Sequence, residues 1–198
     1  MKRASEFAKE YLAALRTVIG RLPLAELDRI AAAVEAAHAE GRHIFIIGNG
    51  GSAATASHLM TDLSKCTLGH KGDGRWRRLR VLALTDNAAL MTAWANDTSY
   101  RRVFSEPLKN LARRGDVLIA ISASGNSPNI IAAARLARKM GMVVLGLGGF
   151  GGGKLARLCD VCFVVPSDEY GPVEDVHMML DHILTGYLYQ KLKALHAK

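Results

Sequence analysis

The stretch GNGGSAATASHLMTDL at positions 48–63 joins a glycine-rich turn to two side chains that can bind a metal or move a proton. His58 and Asp62 are four residues apart, so on a helix both would project from one face, about 6 Å from each other. This spacing suits a shared metal ion, or a carboxylate that orients an imidazole ring. A structural hydrogen-bonded pair would have the same spacing.

Two segments share one plan: an apolar run, a turn of small residues, then a helical pattern. They are IFIIGNGGSAATASHL and VLIAISASGNSPNIIAAA. Small residues let backbone N–H groups approach an anion closely, and the helix N-terminus adds positive potential. The second segment has three serines within six residues, Ser122, Ser124 and Ser127, which is more hydroxyl groups than helix capping needs. We therefore predict a phosphate site at each turn, although tight turns capped by Ser52 and Ser127 are the simpler alternative.

A dinucleotide-binding turn is a second possible interpretation of the first segment. Gly48, Gly50 and Ala53 fit the pattern G-x-G-x-x-G/A. The acidic residue that would confirm it should end the next strand about 20 residues later. That strand begins only near Arg80 and ends at Asp86, so the pattern is not supported.

The last apolar segment, VEDVHMMLDHILTGYLYQKLKAL, predicts a long C-terminal helix with several titratable residues in its first half. Glu174, Met178 and His182 share one face, whereas we expect Asp175 and Asp181 to point elsewhere. Glu174 and His182 are separated by about 12 Å of helix rise. They can share an ion only if their side chains lean together, if Glu174 precedes the first turn, or if they come from different subunits.

The elements that must position these residues form an alternating pattern. Helical spacing over 5–20 and 24–40 predicts two N-terminal helices. Five short apolar runs follow, HIFIIG, RVLALT, DVLIAIS, MVVLGLG and VCFVVP, with helical stretches near 51–65, 87–96, 100–113, 128–140 and 153–158. Continuous apolar strands separated by helices predict an α/β fold with a doubly wound, five-stranded parallel sheet. Ligands of such sheets bind beyond the carboxyl ends of the strands.

Composition narrows the possible functions. At 198 residues the chain has the size of one domain, 1–198, with 1–40 as a helical N-terminal extension, and its net charge of +8 suits an anionic partner. The longest apolar runs, 117–123 and 142–150, are too short to cross a bilayer, and the N-terminus shows no cleavage site. The basic segment 71–80 contains only Trp76 for base stacking, which argues against nucleic acid as the partner.

The three cysteines are Cys66, Cys159 and Cys162. An odd number without a disulfide framework predicts reduced core thiols and a cytoplasmic location. Cys159 and Cys162 fall in the apolar run CDVCFVVP, where we expect alternate strand faces to separate their thiols. A zinc site built from these cysteines is therefore not expected.

Taken together, the motifs resemble the phosphoheptose isomerases of the sugar isomerase (SIS) family. They are G-N-G-G-S, a histidine and an acid on the following helix, AND at 95–97, SASGNS, and a late E-x2-H-x4-H. The similarity extends over nearly the whole chain. It implies a homotetramer, with zinc bound between subunits, that interconverts sedoheptulose 7-phosphate and D-glycero-D-manno-heptose 7-phosphate.

The resemblance assigns roles by position. His58, Asp62, Glu174 and His182 correspond to metal ligands, one zinc ion per subunit, and Asp62 and His182 to the acid/base pair. The substrate-binding residues it implies are Asn49, Gly50, Gly51, Ser52, Asp62, Asn96, Asp97, Ser122, Ala123, Ser124, Ser127 and Glu174.

Four positions depart from the family pattern. Asp62 stands where a glutamate is common, Glu174 where a glutamine is usual, Ala123 where a threonine is usual, and Gly171 where an aspartate is frequent. An aspartate is one methylene shorter than glutamate, and proton transfer tolerates little misplacement. The extra charge of Glu174 would strengthen the hold on a divalent ion and disfavour a nearby substrate anion.

Two alternatives stay open at this point. One is a non-catalytic adaptor similar to the DnaA initiator-associating protein, whose relatives lack the carboxylate and the late histidine. The other is isomerisation of a different phosphosugar. Asp62 and His182 are both present here, which favours an enzyme over an adaptor.

Overall fold

Five parallel strands form one sheet in the computed structural model, which describes residues 2–69 and 71–196. The strands lie in the order β2-β1-β3-β4-β5, and every neighbouring pair is parallel. Their bounds are β1 His43–Ile47, β2 Arg80–Ala83, β3 Val117–Ser122, β4 Val143–Gly148 and β5 Val161–Val164. The predicted doubly wound sheet is confirmed.

Eight α-helices surround the sheet in the described ranges. They are α1 Ala4–Ile19, α2 Leu24–Glu40, α3 Gly51–Lys65, α4 Ala88–Asp97, α5 Ser105–Leu111, α6 Pro128–Lys139, α7 Gly153–Ala156 and α8 Tyr170–His196. The predicted helix over 100–113 is divided into a 3-10 turn, Tyr100–Arg102, and α5. None of the described helices combines the length and apolar character needed to cross a bilayer.

The two faces of the sheet have separate cores because side chains alternate along each strand. Ile44 and Ile46 of β1 pack with apolar residues of α1, α2, α3 and α8. Phe45 and Ile47 pack on the other face with residues of α5 and α6. Helices α3 and α8 therefore lie side by side on one face.

The strand order reverses between β1 and β3. From β1 the chain continues to β2 on one side and then returns to β3 on the other. The loops leaving β1 and β3 diverge at this point, which is where doubly wound folds open a crevice for ligands. Both turns predicted to bind phosphate leave these two strands.

The basic segment 71–80 has a structural role at the end of α2. The Arg77 guanidinium donates to the carbonyl of His38, and the His38 ring contacts the carbonyl of Arg77 at 2.7 Å. Arg80 donates to the carbonyl of Gly41 at 3.2 Å. These contacts add side-chain donors to the carbonyls at the C-terminal end of α2, where the His38 carbonyl also accepts from the Gly41 N–H.

The prediction that Cys159 and Cys162 would be separated is wrong. Each thiol affects the ionisation of the other: Cys162 raises the pKa of Cys159, and Cys159 lowers the pKa of Cys162. A Cβ on Gly146 would lie 2.6 Å from one sulfur and 2.8 Å from the other, so both pack over this glycine. The prediction failed because Cys159 lies in the turn before β5, where side chains need not alternate. All three cysteines are half-buried free thiols.

Candidate active site

A cavity of about 140 Å³ opens beyond the carboxyl ends of β1 and β3. Four serine hydroxyls, one amide, one carboxylate and one phenol contribute to its lining, together with two apolar residues. The lining residues are Asn49, Ser52, Ile121, Ser122, Ala123, Ser124, Ser127, Tyr170 and Glu174. The structure thus brings most of the predicted substrate-binding residues to a single cavity.

The serine hydroxyls are not used for helix capping. Ser127 is the N-cap residue of α6, but its side chain makes no cap hydrogen bond, and Ser52 lies inside α3, whose N-cap is Gly50. Ser122 and Ser127 contact one another at 3.4 Å. Because these hydroxyls face the cavity, they are available to an anion there.

The serine loop depends on glycine at its centre. Gly125 has φ +63°, and a Cβ at this position would lie 2.1 Å from the carbonyl oxygen of Gly152. A side chain could not be accommodated without moving backbone. The turn therefore packs directly on the glycine-rich loop after β4.

The turn after β1 is fixed by a pair of amides. Asn49 and Asn129 exchange two hydrogen bonds of 2.9 and 2.8 Å, and the Tyr100 hydroxyl donates to Asn49 at 3.1 Å. Sequence reasoning missed Asn129, although its place directly after Ser127-Pro128 marks it as a first-turn residue of α6. It joins the two predicted phosphate loops.

Glu174 lies against the same turn. A Cβ on Gly51 would come within 2.9 to 3.1 Å of the Glu174 carboxylate, so this carboxylate packs directly on the glycine. Gly50 adopts φ +52° and ψ −121°, a conformation that favours glycine. Gly50 therefore shapes the turn through its backbone geometry, and Gly51 leaves room for the Glu174 carboxylate in its present position.

Asn96 and Asp97 are not among the cavity's lining residues. They end α4, are exposed, and hydrogen-bond to each other at 2.9 Å. Their predicted contact with substrate stays a prediction.

A second cluster lies farther along α3, where α3 faces α8. His58 and Asp62 from α3 meet Asp181 and His182 from α8, and one donor atom from each lies within 4.8 Å of the others. His58 Nε2 is 3.7 Å from the Asp62 carboxylate, and the rings of His58 and His182 meet edge-on with centroids 5.2 Å apart. The predicted meeting of an α3 carboxylate with an α8 imidazole is present within one chain.

The prediction that Asp181 points elsewhere is wrong. Asp181 is 2% exposed and lies beside the apolar residues that α8 turns toward the sheet. The adjacent His182 is more exposed but also reaches α3, so the seam between the helices accommodates both residues. Glu174 is not part of this group, and its predicted role as a metal ligand stays a prediction.

Burial changes the ionisation of two groups on α8. Burial, followed by the negative charge of Asp62, raises the pKa of Asp181 to about 6. Asp181 Oδ1 accepts from Thr185 at 3.4 Å, whereas its Oδ2 is buried without a hydrogen-bond partner in the described residues. Burial lowers the pKa of His177 to about 4, and this ring contacts the Gly148 carbonyl at 3.2 Å.

Comparison with known proteins gives a consistent assignment. The SIS domain family model matches residues 6–149. The phosphoheptose isomerase of Rhodospirillum rubrum is 39% identical over 82% of this chain and 84% of its own length. That of Aliarcobacter butzleri is 38% identical over 95% of this chain and 98% of its own length. The chain belongs to the phosphoheptose isomerase family of SIS domains.

Structural similarity to this family covers the C-terminal helix as well. The phosphoheptose isomerase structure from Neisseria gonorrhoeae superposes with a TM-score of 0.86 at 29% identity, covering 95% of this chain and all of the other. The SIS model match ends near β4, before α8. Asp181 and His182 therefore lie outside the SIS model match and inside the full-length similarity to phosphoheptose isomerases.

Proposed function

We propose that this protein is an aldose–ketose isomerase that converts sedoheptulose 7-phosphate to D-glycero-D-manno-heptose 7-phosphate through an enediol. Relatives named phosphoheptose isomerase support the substrate class. The observation that carries the proposal is the arrangement along α3: Ser52 lines the hydroxyl cavity, and His58 and Asp62 join the acid/base cluster.

The length of α3 between these residues suits a sugar phosphate. Ser52 and His58 are separated by about 9 Å of helix rise. An extended seven-carbon chain spans about 8 Å, since its six C–C bonds of about 1.5 Å follow a zigzag. A phosphate held by the serine loop would therefore let the far end of the sugar approach the cluster.

In this proposal the serine loop binds the phosphate, remote from the reacting carbons. Hydroxyls of Ser122 and Ser127, with the N-terminus of α6, donate to the phosphate oxygens. The binding energy of this group holds C1 and C2 near the cluster and reduces the entropy lost on reaching the transition state.

Proton transfer falls to the α3–α8 cluster. Asp62 removes the proton from the carbon next to the carbonyl, and His182 gives or takes the proton at the sugar oxygens. His58 lies 3.7 Å from the Asp62 carboxylate and helps to orient it. Moving the proton between C1 and C2 through an enediol interconverts ketose and aldose.

His58, Asp62 and His182 are nitrogen and oxygen donors that suit zinc. Bound there, a zinc ion would polarise the carbonyl and stabilise negative charge on the enediolate. The homotetramer with sites between subunits and the cytoplasmic location stay predictions of the sequence.

The test is turnover of a panel of ketose phosphates, with aldose formation measured for wild type, Asp62→Asn and Asp28→Asn. Asp28 is an exposed carboxylate on α2 and serves as the control. We expect Asp62→Asn to lose at least about 100-fold in kcat, because the amide cannot accept the proton, and Asp28→Asn to keep wild-type activity. Full activity of Asp62→Asn, with or without added zinc, would remove Asp62 from the chemistry. An adaptor would convert none of the substrates.

A further inference from the structure

Asp181 is a buried carboxylate whose hydrogen bonding is incomplete. The residue is 2% exposed, and Oδ2 has no hydrogen-bond partner in the described ranges. A buried charged group without partners costs several kcal/mol unless it is paired or coordinates a metal. Its titratable neighbours are a second carboxylate, Asp62, which disfavours the charged form, and the His58 and His182 imidazoles, which favour it.

The groups around Asp181 have the chemistry of a divalent metal site. Two imidazoles and two carboxylates offer one donor atom each within 4.8 Å of one another. Tetrahedral ligands at zinc distances lie about 3.4 Å apart, so modest side-chain adjustment would bring all four to one ion. Two negative charges on the ligands balance the charge of the cation.

We propose that Asp181 is a metal ligand in a site with His58, Asp62 and His182, to which the substrate oxygen would be added as a fifth donor. Glu174 then belongs to the substrate cavity and not to the metal site. The metal requirement rests on the proposed isomerase function, whereas the identity of the ligand rests on the geometry of the α3–α8 seam.

The position of Glu174 supports this division of roles. Its carboxylate lies against Gly51 and lines the hydroxyl cavity, and it is eight residues before His182 on α8. Asp181 immediately precedes His182 and faces α3. Because Asp62 is a short acid that stays close to its own helix, Asp181 gives the ion a carboxylate from the opposite helix as well, so that each helix supplies one carboxylate and one imidazole.

Metal affinity tests the proposal directly. Wild type, Asp181→Asn, Glu174→Gln and Asp28→Asn are stripped with a chelator, and Zn²⁺ binding is measured by competition with a chromophoric chelator. We expect Asp181→Asn to bind Zn²⁺ at least about tenfold more weakly, and the other two variants to stay within about twofold of wild type. Co²⁺ loaded into wild type and Asp181→Asn should give different visible absorption bands.

Thermal unfolding separates a ligand from a structural residue. Removing an unpaired buried charge should leave the Tm of metal-free Asp181→Asn equal to or above that of wild type, while added Zn²⁺ should raise its Tm less. Asp181→Leu is the second variant, since Asp181 lines an apolar cavity with Leu59, Leu180 and Leu184. Asp181→Leu should likewise have a metal-free Tm equal to or above that of wild type and a smaller rise in Tm when Zn²⁺ is added.

Several outcomes would overturn the proposal. They are unchanged Zn²⁺ affinity in both Asp181 variants, a larger loss in Glu174→Gln than in Asp181→Asn, or no Zn²⁺ binding by wild type. The proposed isomerase function fails separately. A protein that loses Zn²⁺ affinity with Asp181 but converts no ketose phosphate would keep the metal site and refute the reaction.

Discussion

Replacing His177 should remove a large part of the acid sensitivity of the fold. His177 is 1% exposed, and burial lowers its pKa to about 4. The unfolded chain has the ordinary histidine pKa of about 6.5, so between these values only the unfolded state binds the proton. The stabilisation that comes from keeping this ring neutral is therefore complete above about pH 6.5 and is lost as the pH falls toward 4.

The size of the effect follows from the difference in pKa. A difference of about 2.5 units at 1.36 kcal/mol each limits the loss to about 3 kcal/mol, of which about 2 kcal/mol is lost between pH 7.5 and pH 5. His177→Gln keeps an N–H donor for the Gly148 carbonyl but cannot titrate in this range. Its free energy of unfolding should fall by about 2 kcal/mol less than that of wild type over the same pH interval.

Urea unfolding at the two pH values, with a chelator present to exclude metal binding, measures this difference. Other titrating groups, including Asp181, occur in both proteins and cancel in the comparison. Equal losses in wild type and His177→Gln, within about 0.5 kcal/mol, would refute the assignment of the acid sensitivity to His177.

Two further predictions concern the loops that form the cavity. Gly125→Ala should lower the free energy of unfolding by at least about 2 kcal/mol, because the backbone has φ +63° and the new Cβ meets a carbonyl oxygen. Gly186→Ala, in an open part of α8, is the control and should be neutral or stabilising in urea unfolding. Ser127→Ala should raise KM for the phosphosugar, and the inhibition constant of inorganic phosphate, about tenfold with little change in kcat. A fall in kcat with unchanged KM would instead place this hydroxyl in the chemistry.

The fold could be predicted from the sequence because its strands are nearly continuous apolar runs. β3 is buried at all six positions, as expected for a strand covered by helices on both faces. Helix boundaries were predicted less accurately where the backbone changes from one helix type to another. The sequence from Tyr100 onward has helical spacing, but its first turn is a 3-10 helix that is separate from α5.

The site was predictable where it depends on neighbours in sequence. Ser122 ends β3, Ser124 and Ser127 follow it, and the structure brings all three to one cavity. The hydrogen bonds between Asn49 and Asn129 join residues 80 positions apart, and no local pattern indicates such a pair. The error about Cys159 and Cys162 has a local cause, because their contact depends on the turn before β5.

Asp181 shows why one helix cannot be interpreted alone. On α8 by itself, the eight-residue spacing of Glu174 and His182 suggests a shared face, and Asp181 falls outside it. The relevant surface is instead the seam with α3, where a buried residue and its more exposed neighbour can both reach the opposite helix. Asp62 gains a carboxylate partner there, and burial, followed by the repulsion between the two carboxylates, raises the pKa of Asp181.

The repulsion between Asp62 and Asp181 links the aspartate at position 62, where relatives commonly have glutamate, to the chemistry of the site. A shorter acid on α3 reaches less far toward the seam than a glutamate would, and Asp181 adds negative charge from the other side. Two facing carboxylates cost free energy in the absence of a cation, and the same pair favours binding of a divalent one. When Asp181 is neutralised, the stability of the metal-free protein should therefore rise or stay equal while its affinity for Zn²⁺ falls. If Asp181 acted only through a structural hydrogen bond, its replacement would not produce this opposite pair of changes.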